Sequence, residues 1–106
     1  KKTAGSSLLK EYEATGEALP VPGVFWMILD SSGRPRCIVK TTRIETHIFE
    51  RVPVAVAIAE GEGDLSLEYW RAEHIGFFGP YLAKLGIKDL SQEIIVTEFF
   101  EVVFQD

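Results

Sequence analysis

The sequence predicts an α+β fold in which strands and turns come first, helices follow and one strand ends the chain. The segment 24–29, Val-Phe-Trp-Met-Ile-Leu, is an unbroken apolar run between turn residues and is too short for a helix. The segment 67–78 has aromatic and apolar residues at 3.6-residue spacing, the pattern of an amphipathic helix. The segment 93–104 is apolar on both faces, which indicates an interior strand of a closed or covered sheet.

Composition limits the classes of protein to which the chain can belong. Its 106 residues suffice for one domain. The net charge of -5 argues against broad binding to nucleic acid, because neutralising phosphates requires a basic surface. The single Cys37 excludes an internal disulfide, is predicted to be a buried thiol and fits a cytoplasmic location. The sequence has neither an apolar run of about 18 residues nor a signal-peptide pattern, so no membrane association is expected.

The chain begins with a basic stretch that turns small and polar. Lys1 and Lys2 have two interpretations, a solvated chain end or an anion-binding loop in which small neighbours let a phosphate reach the backbone. Ser6 or Ser7 is predicted to cap a short helix that runs to about Ala14.

A β-hairpin is predicted next. The apolar segment 24–29 is expected to be a strand that is buried on both faces. The segment 30–33, Asp-Ser-Ser-Gly, forms a turn, and a second strand returns from Arg36 to roughly Thr46. Polar and apolar residues mix on both faces of this second strand, which suits a barrel strand with one side near a cleft or solvent.

Two helices are predicted around an acidic loop. The segment 54–59 is expected to be a short helix, and the loop 59–64, Ala-Glu-Gly-Glu-Gly-Asp, then places three carboxylates on flexible backbone. Asp64 or Ser66 caps the strongest helix, which is expected to break at 79–80, Gly-Pro. The predicted buried stripe of this helix consists of Leu67, Trp70, His74, Phe77 and Phe78.

The candidate chemistry consists of a lysine pair and nearby carboxylates. No phosphate loop, serine elbow, paired-cysteine site or zinc-protease signature is present, and two histidines are too few for a protein-only zinc site without carboxylate help. A partly desolvated lysine can act as a base or polarise an oxyanion, and a glutamate on glycine-rich backbone can orient water. Negative charge near a helix N-terminus, favourable by about 0.3–1 kcal/mol, explains Asp64 well, Glu62 partly and Glu60 poorly.

Several stretches together carry a resemblance to a known family. They are 1–4 (Lys-Lys-Thr-Ala), 19–23 (Leu-Pro-Val-Pro-Gly), 35–42 (Pro-Arg-Cys-Ile-Val-Lys-Thr-Thr), 59–67 (Ala-Glu-Gly-Glu-Gly-Asp-Leu-Ser-Leu), 69–71 (Tyr-Trp-Arg), His74 and 77–78 (Phe-Phe). On these residues the chain resembles the ASCH-domain proteins, in a bacterial subgroup of small stand-alone members. The resemblance implies a PUA-like mixed β-barrel of about five to six strands with flanking helices. It also implies a single ASCH domain over 1–106 that is N-terminally incomplete.

The family signature is similar to G-x-K-x-x-x-x-R, and it matches this chain only in part. Its lysine corresponds to Lys2, whereas Ser7 stands at the arginine position. One branch of the family hydrolyses the acetyl amide of acetylcytidine with a lysine, a threonine and a glutamate. The resemblance puts the lysine at Lys2 and the glutamate at Glu62, but Gly5 stands at the threonine position. Thr3 or Ser6 would then have to supply the hydroxyl.

Three functions stay open at this point. The first is binding of RNA or a nucleotide, with cleavage of single-stranded RNA by a Lys/Glu site. The second is amide hydrolysis on an acylated nucleoside such as acetylcytidine. The third is a non-catalytic module that binds RNA or a small ligand. No cofactor or metal is implied, and both a monomer and a homodimer remain open.

These hypotheses name the same group of residues. The catalytic candidates are Lys2, Glu62 and Thr3, with Glu62 as acid or base. The candidates for binding RNA or ligand are Lys1, Lys2, Ser6, Glu60, Asp64 and Arg71.

Overall fold

The computed structural model describes residues 2–105, and its α+β architecture confirms the predicted fold class. No helix within these residues is long and apolar enough to cross a membrane. The elements are β1 (Ala4–Leu8), α1 (Leu9–Thr15), β2 (Phe25–Leu29), β3 (Pro35–Ile48), α2 (Val54–Glu60), α3 (Leu67–Leu82) and β4 (Ile94–Gln105), with short 3-10 helices at Phe49–Arg51 and Leu90–Gln92.

The strands form one curled antiparallel sheet in the order β1-β4-β3-β2, which resembles half a barrel. The described residues supply four strands, where the resemblance implied five to six. The long strands β3 and β4 pair along most of their length, and β1 pairs with the first half of β4. In this register Ser6 lies opposite Thr97, so two hydroxyl side chains meet near the centre of the sheet.

The start of the chain differs from the predicted helix cap. Ala4–Leu8 is a strand, and neither Ser6 nor Ser7 caps a helix. The helix begins at Leu9, directly after this strand. Leu8 is its N-cap residue and makes no side-chain cap bond. Pairing with β4 explains the difference, because it satisfies the backbone groups of this segment before a helix can form.

The hydrophobic core lies between β1, β4 and the helices α2 and α3. Leu8 and Ile95 are fully buried on the sheet side, and Val56 and Phe78 are fully buried on the helix side. The clustered core residues are Ala4, Leu8, Phe49, Val52, Val56, Ala57, Trp70, Phe78, Ile87, Ile95 and Phe99.

The burial predicted for 24–29 is wrong, although the strand itself is confirmed. Every residue of β2 is exposed, from Trp26 at 37% to Phe25 at 58%. The strand lies at the edge of the sheet and pairs with β3, and its other edge is unpaired within residues 2–105. An apolar run therefore predicted the strand but not its position in the sheet.

The long helix α3 also departs from prediction at two points. It continues through 79–80 to Leu82, because Pro80 lies near the end of the helix and removes only one backbone donor there. Trp70, His74 and Phe78 form the expected buried stripe, but Phe77 is 59% exposed. The exposed ring lines a cleft where polar side chains from three elements meet.

Candidate functional site

A cleft of about 280 Å³ lies where β1, the loop after α2 and α3 meet. It brings together four of the eight site residues that the sequence suggested, which are Lys2, Ser6, Glu60 and Glu62. Its lining residues are Lys2, Gly5, Ser6, Glu60, Glu62, Glu73, His74 and Phe77.

Glycine backbone in the acidic loop shapes one wall of the cleft. Gly61 ends α2 in the left-handed conformation, with φ of 69°, and its N–H bonds to the carbonyl groups of Ala57 and Ile58. Gly63 is also left-handed, and a Cβ at this position would overlap the ring of Tyr69. The two glycines therefore let the chain turn sharply, so that Glu60 and Glu62 both reach the same cleft.

Glu60 is a buried carboxylate at the floor of the cleft, only 3% exposed. Its Oε2 accepts hydrogen bonds from the Ser6 hydroxyl at 2.6 Å and from the Trp70 indole N–H at 2.7 Å. Its Oε1 lies 3.4 Å from Nε2 of His74 and 3.7 Å from Nζ of Lys2. Four neighbouring groups thus compensate the charge, which is what a buried carboxylate requires.

His74 is held as the positive partner of this carboxylate. Its Nδ1 lies 2.8 Å from the Trp70 carbonyl oxygen, and its Nε2 faces Glu60. Because both ring nitrogens face acceptors, only the imidazolium form can donate to both. Burial lowers the pKa of His74, but bonding to Glu60 and the Trp70 carbonyl outweighs it, so the pKa lies above the ordinary 6.5.

The pKa of Glu60 moves in the opposite direction. Burial pushes the pKa of this carboxyl group upward. Hydrogen bonds from His74, Ser6 and Trp70 outweigh burial and leave the pKa below the ordinary 4.5. The two shifts therefore favour the carboxylate form of Glu60 and the imidazolium form of His74. The sequence signal for this pairing was available, since Glu60 was poorly explained as helix-start charge and His74 lies one turn after Trp70.

Lys2 and Glu62 form a second pair at the rim of the cleft. Nζ of Lys2 lies 3.3 Å from Oε1 of Glu62, and each side chain is about half exposed, 49% and 48%. The resemblance implied this partnership across sixty residues of chain, and the structure brings the two groups together.

Thr3 fixes the backbone next to Lys2. Its N–H donates to the Ala59 carbonyl at 2.6 Å, and its own carbonyl accepts from the Phe100 N–H at 2.9 Å. The Thr3 hydroxyl donates to the same Ala59 carbonyl at 3.2 Å and does not line the cleft. The hydroxyl that does line it belongs to Ser6, which bonds to Glu60 and lies 2.8 Å from the Thr97 hydroxyl.

Glu73 and Phe77 complete the cleft, and sequence reasoning did not select either as a site residue. They are four positions apart on α3, so they lie on the same face of the helix. Hydrogen bonding from the Tyr69 hydroxyl lowers the pKa of Glu73. The Phe77 ring packs edge-on near His74, with 6.3 Å between ring centroids. The i, i+4 spacing could have indicated a shared face, but Phe77 had been assigned to the core.

The other predicted residues lie elsewhere. Arg71 donates from Nη2 to the Glu50 carbonyl at 2.9 Å, and it is not among the lining residues. Asp64 accepts from the N–H and hydroxyl of Ser66, the residue whose side chain caps α3. Lys1 lies outside the described residues. Within residues 2–105, no group of three or more His, Cys, Asp or Glu side chains is arranged to hold a metal ion.

Comparison with known proteins shows which family this chain and its fold resemble. The family model of the ASCH domain matches residues 1–104. The crystal structure of an ASCH domain from Lactobacillus crispatus JV V101 superposes with a TM-score of 0.87, with 34% identity over 98% of this chain. A protein from Enterococcus faecalis V583 superposes with a TM-score of 0.81, with 36% identity over 97% of this chain. The chain spans 65% and 61% of the lengths of these two structures, and no curated protein matches it.

Proposed function

Because the chain belongs to the ASCH domain family, we propose that it binds RNA or a nucleoside-type ligand in the cleft and cleaves single-stranded RNA there. The observation that carries the proposal is the 3.3 Å separation between Nζ of Lys2 and Oε1 of Glu62 at the rim. Two groups with complementary roles in acid–base chemistry meet at an opening of about 280 Å³.

The pair is suited to attack by a ribose 2′-hydroxyl on the adjacent phosphorus. Glu62 is half exposed and can take the proton of that hydroxyl. The Lys2 ammonium can stabilise the negative charge that develops on the phosphoryl oxygens. The bond from the 2′-oxygen to phosphorus forms as the bond from phosphorus to the 5′-oxygen breaks, which leaves a 2′,3′-cyclic phosphate. The departing 5′-oxygen takes a proton from the Glu62 carboxylic acid, so the carboxylate is restored. Glu60 and His74 lie deeper and hold the floor of the cleft.

Lys2→Ala tests this proposal against a matched control. A single-stranded RNA oligonucleotide is incubated with each variant, and the rate of cleavage is measured. We expect a loss of about 10²-fold or more in Lys2→Ala and in Glu62→Gln, the scale of one acid–base or charge-stabilising group. Lys10→Ala removes a comparable ion pair, Lys10 to Glu93 at 3.2 Å, away from the cleft and should cleave at the wild-type rate. Full activity in folded Lys2→Ala would overturn the nuclease proposal.

Amide hydrolysis on an acylated nucleoside is the second candidate, and the position of Ser6 favours it. The Ser6 hydroxyl lines the cleft 2.6 Å from Glu60, so a hydroxyl is present although Gly5 lacks one. A Cβ added to Gly5 would meet nothing within 4 Å, which leaves room for a threonine side chain.

Acetylcytidine provides the test of this second candidate. Turnover that is lost in Glu62→Gln and raised in Gly5→Thr would support amide hydrolysis, because the new hydroxyl enters open space beside Lys2. Turnover by wild type that is unchanged in Glu62→Gln would contradict it. Binding of nucleosides or RNA without turnover of either substrate would identify a non-catalytic binding module.

A further inference from the structure

The charges around the cleft are unfavourable for a phosphate at its floor. Among the described lining residues, the carboxylates of Glu60, Glu62 and Glu73 face the Lys2 ammonium and the titratable ring of His74. Even when His74 is protonated, three negative charges against two positive charges leave one negative charge in excess. Lys2 is half exposed at the rim, whereas Glu60 is buried at the floor. A backbone phosphate can therefore reach Lys2, but the part of the cleft lined by Glu60 and Glu73 favours a neutral group.

Phe77 gives one wall of the cleft a flat apolar surface. Its side chain is 59% exposed on a helix whose neighbouring Phe78 is fully buried. The ring is bounded by His74 on one side and borders the cleft on the other. An exposed aromatic ring beside a polar opening is the usual platform on which a single base stacks.

Glu73 supplies a hydrogen-bond acceptor on the same side of the helix. It lies one turn before Phe77 and lines the same opening. An ionised carboxylate only accepts hydrogen bonds, so it favours a partner that donates. Cytosine, adenine and guanine carry an exocyclic amino group that can donate, whereas uracil presents a carbonyl oxygen at that position.

We infer that the cleft is a base-recognition subsite, in which Phe77 stacks on the base and Glu73 accepts a hydrogen bond from its exocyclic amino group. This inference rests on the proposed function and narrows its ligand to amino-bearing bases. It assigns Lys2 to the phosphate, and it assigns Phe77 and Glu73, on the α3 wall of the cleft, to the base. The two halves of the cleft therefore recognise different parts of one nucleotide unit.

Binding measurements with defined probes test the inference. Dissociation constants are measured by calorimetry for cytidine, uridine, and short oligomers of C and of U, at fixed salt. We expect C to bind at least about 5-fold more tightly than U, the scale of one discriminating hydrogen bond. Phe77→Ala should weaken binding of both by roughly 5- to 150-fold, the fold-change that corresponds to loss of one stacked base. If cytidine itself binds, a free nucleoside is sufficient for recognition. If only the oligomer of C binds, the subsite recognises a base within a strand. Both results support the subsite.

Two matched controls separate recognition from folding. Phe104→Ala removes an equally exposed phenylalanine far along β4, and Glu68→Gln removes a carboxylate from the first turn of α3 outside the cleft. Both should bind C and U as wild type does. Glu73→Gln should abolish the preference for C without weakening the binding of U.

The possible failures are distinguishable. Equal affinity for C and U in wild type, or Phe77→Ala binding as tightly as Phe104→Ala, would overturn the base subsite. If either result is obtained but RNA is still cleaved in a Lys2-dependent manner, the proposed function stands without the base subsite. If none of the four probes binds and no RNA is cleaved, the proposed function and the subsite fail together.

Discussion

Two regions of this small domain reverse the usual relation between polarity and burial. The cleft floor, made of Ser6, Glu60, Trp70 and His74, buries a charged pair and its hydrogen-bonding partners. The hairpin edge, β2 at Phe25–Leu29, exposes every one of its apolar side chains. Hydropathy alone would have assigned the two regions the other way round. What decides burial is the number of packed elements around a segment, which is three at the cleft floor and one at the hairpin edge.

The largest loss of stability is expected from a substitution at the cleft floor. His74→Ala leaves the Glu60 carboxylate buried without its imidazolium partner, and breaking such a pair costs about 3–5 kcal/mol. The free energy of unfolding, from urea denaturation at pH 6, should fall by that amount. A loss under about 1 kcal/mol would show that Ser6, Trp70 and Lys2 suffice to stabilise the carboxylate.

A smaller change in the free energy of unfolding is expected when the pH is varied. The pKa of His74 is raised above 6.5, so its stabilising contribution is complete below pH 6.5 and is lost as pH rises through the folded-state pKa. The pKa of Glu60 is lowered below 4.5, so its contribution is present above pH 4.5 and is lost as pH falls through the folded-state pKa. Unfolding free energy measured from pH 4 to 9 should therefore be greatest between these limits.

The pH profile of His74→Phe provides the control. Phenylalanine cannot titrate, so the decline in unfolding free energy above pH 6.5 should disappear in this variant. The decline at low pH should change, because Glu60 loses the hydrogen bond from His74 that lowers its pKa. The groups that face His74 are the Trp70 carbonyl, Glu60 and Glu73. A decline of unchanged steepness in the variant would assign the alkaline loss of stability to another group.

The next effect concerns Gly5, which lies in β1 and borders the cleft. Gly5→Thr should raise the free energy of unfolding by about 0.5–1 kcal/mol, because glycine in a strand is entropically costly and an added Cβ meets open space. Gly63→Ala is the matched contrast, since φ is 61° there and Tyr69 occupies the space. Thermal melts should move in opposite directions for the two variants. Stabilisation of both would contradict the described loop geometry.

The smallest effect is expected at the hairpin edge. Met27 is 51% exposed, so Met27→Ser should change the free energy of unfolding by no more than about 0.5 kcal/mol. The same urea denaturation measures it. A loss comparable to that of His74→Ala would mean that the hairpin edge is packed as tightly as the cleft floor.

Local patterns predicted the elements better than their surroundings. The helix at 54–59, the hairpin and the final strand were all recognised, because periodicity and turn residues are properties of neighbouring residues. The strand Ala4–Leu8 was missed because its pairing partner, β4, is about ninety residues away. The exposure of Phe77 was missed for a related reason. Helical spacing defines a face, but only the packed structure shows where the neighbouring elements end.

The residues of the candidate site also divide into those that could be predicted and those that could not. The resemblance selected Lys2 and Glu62, and the structure brings them together. It also assigned a role to Thr3, whose hydroxyl bonds to Ala59 outside the cleft lining. His74 was interpreted as a core histidine, and only the ring geometry identifies it as the charge partner of Glu60. Reciprocal hydrogen bonding of this kind has no signature in sequence spacing.

The backbone bonds of Thr3 have a consequence for the cost of ligand binding. Its N–H and carbonyl join the start of β1 to α2 and β4 at once, so the residue beside Lys2 is already immobile before a ligand arrives. Ordering one residue of backbone costs about 1–2 kcal/mol, and here folding has met that cost. The backbone that follows Lys2 therefore adds little to the entropy that is lost on binding. The cation at the rim is therefore preorganised by main-chain bonds that do not depend on the identity of residue 3, provided that it retains its N–H.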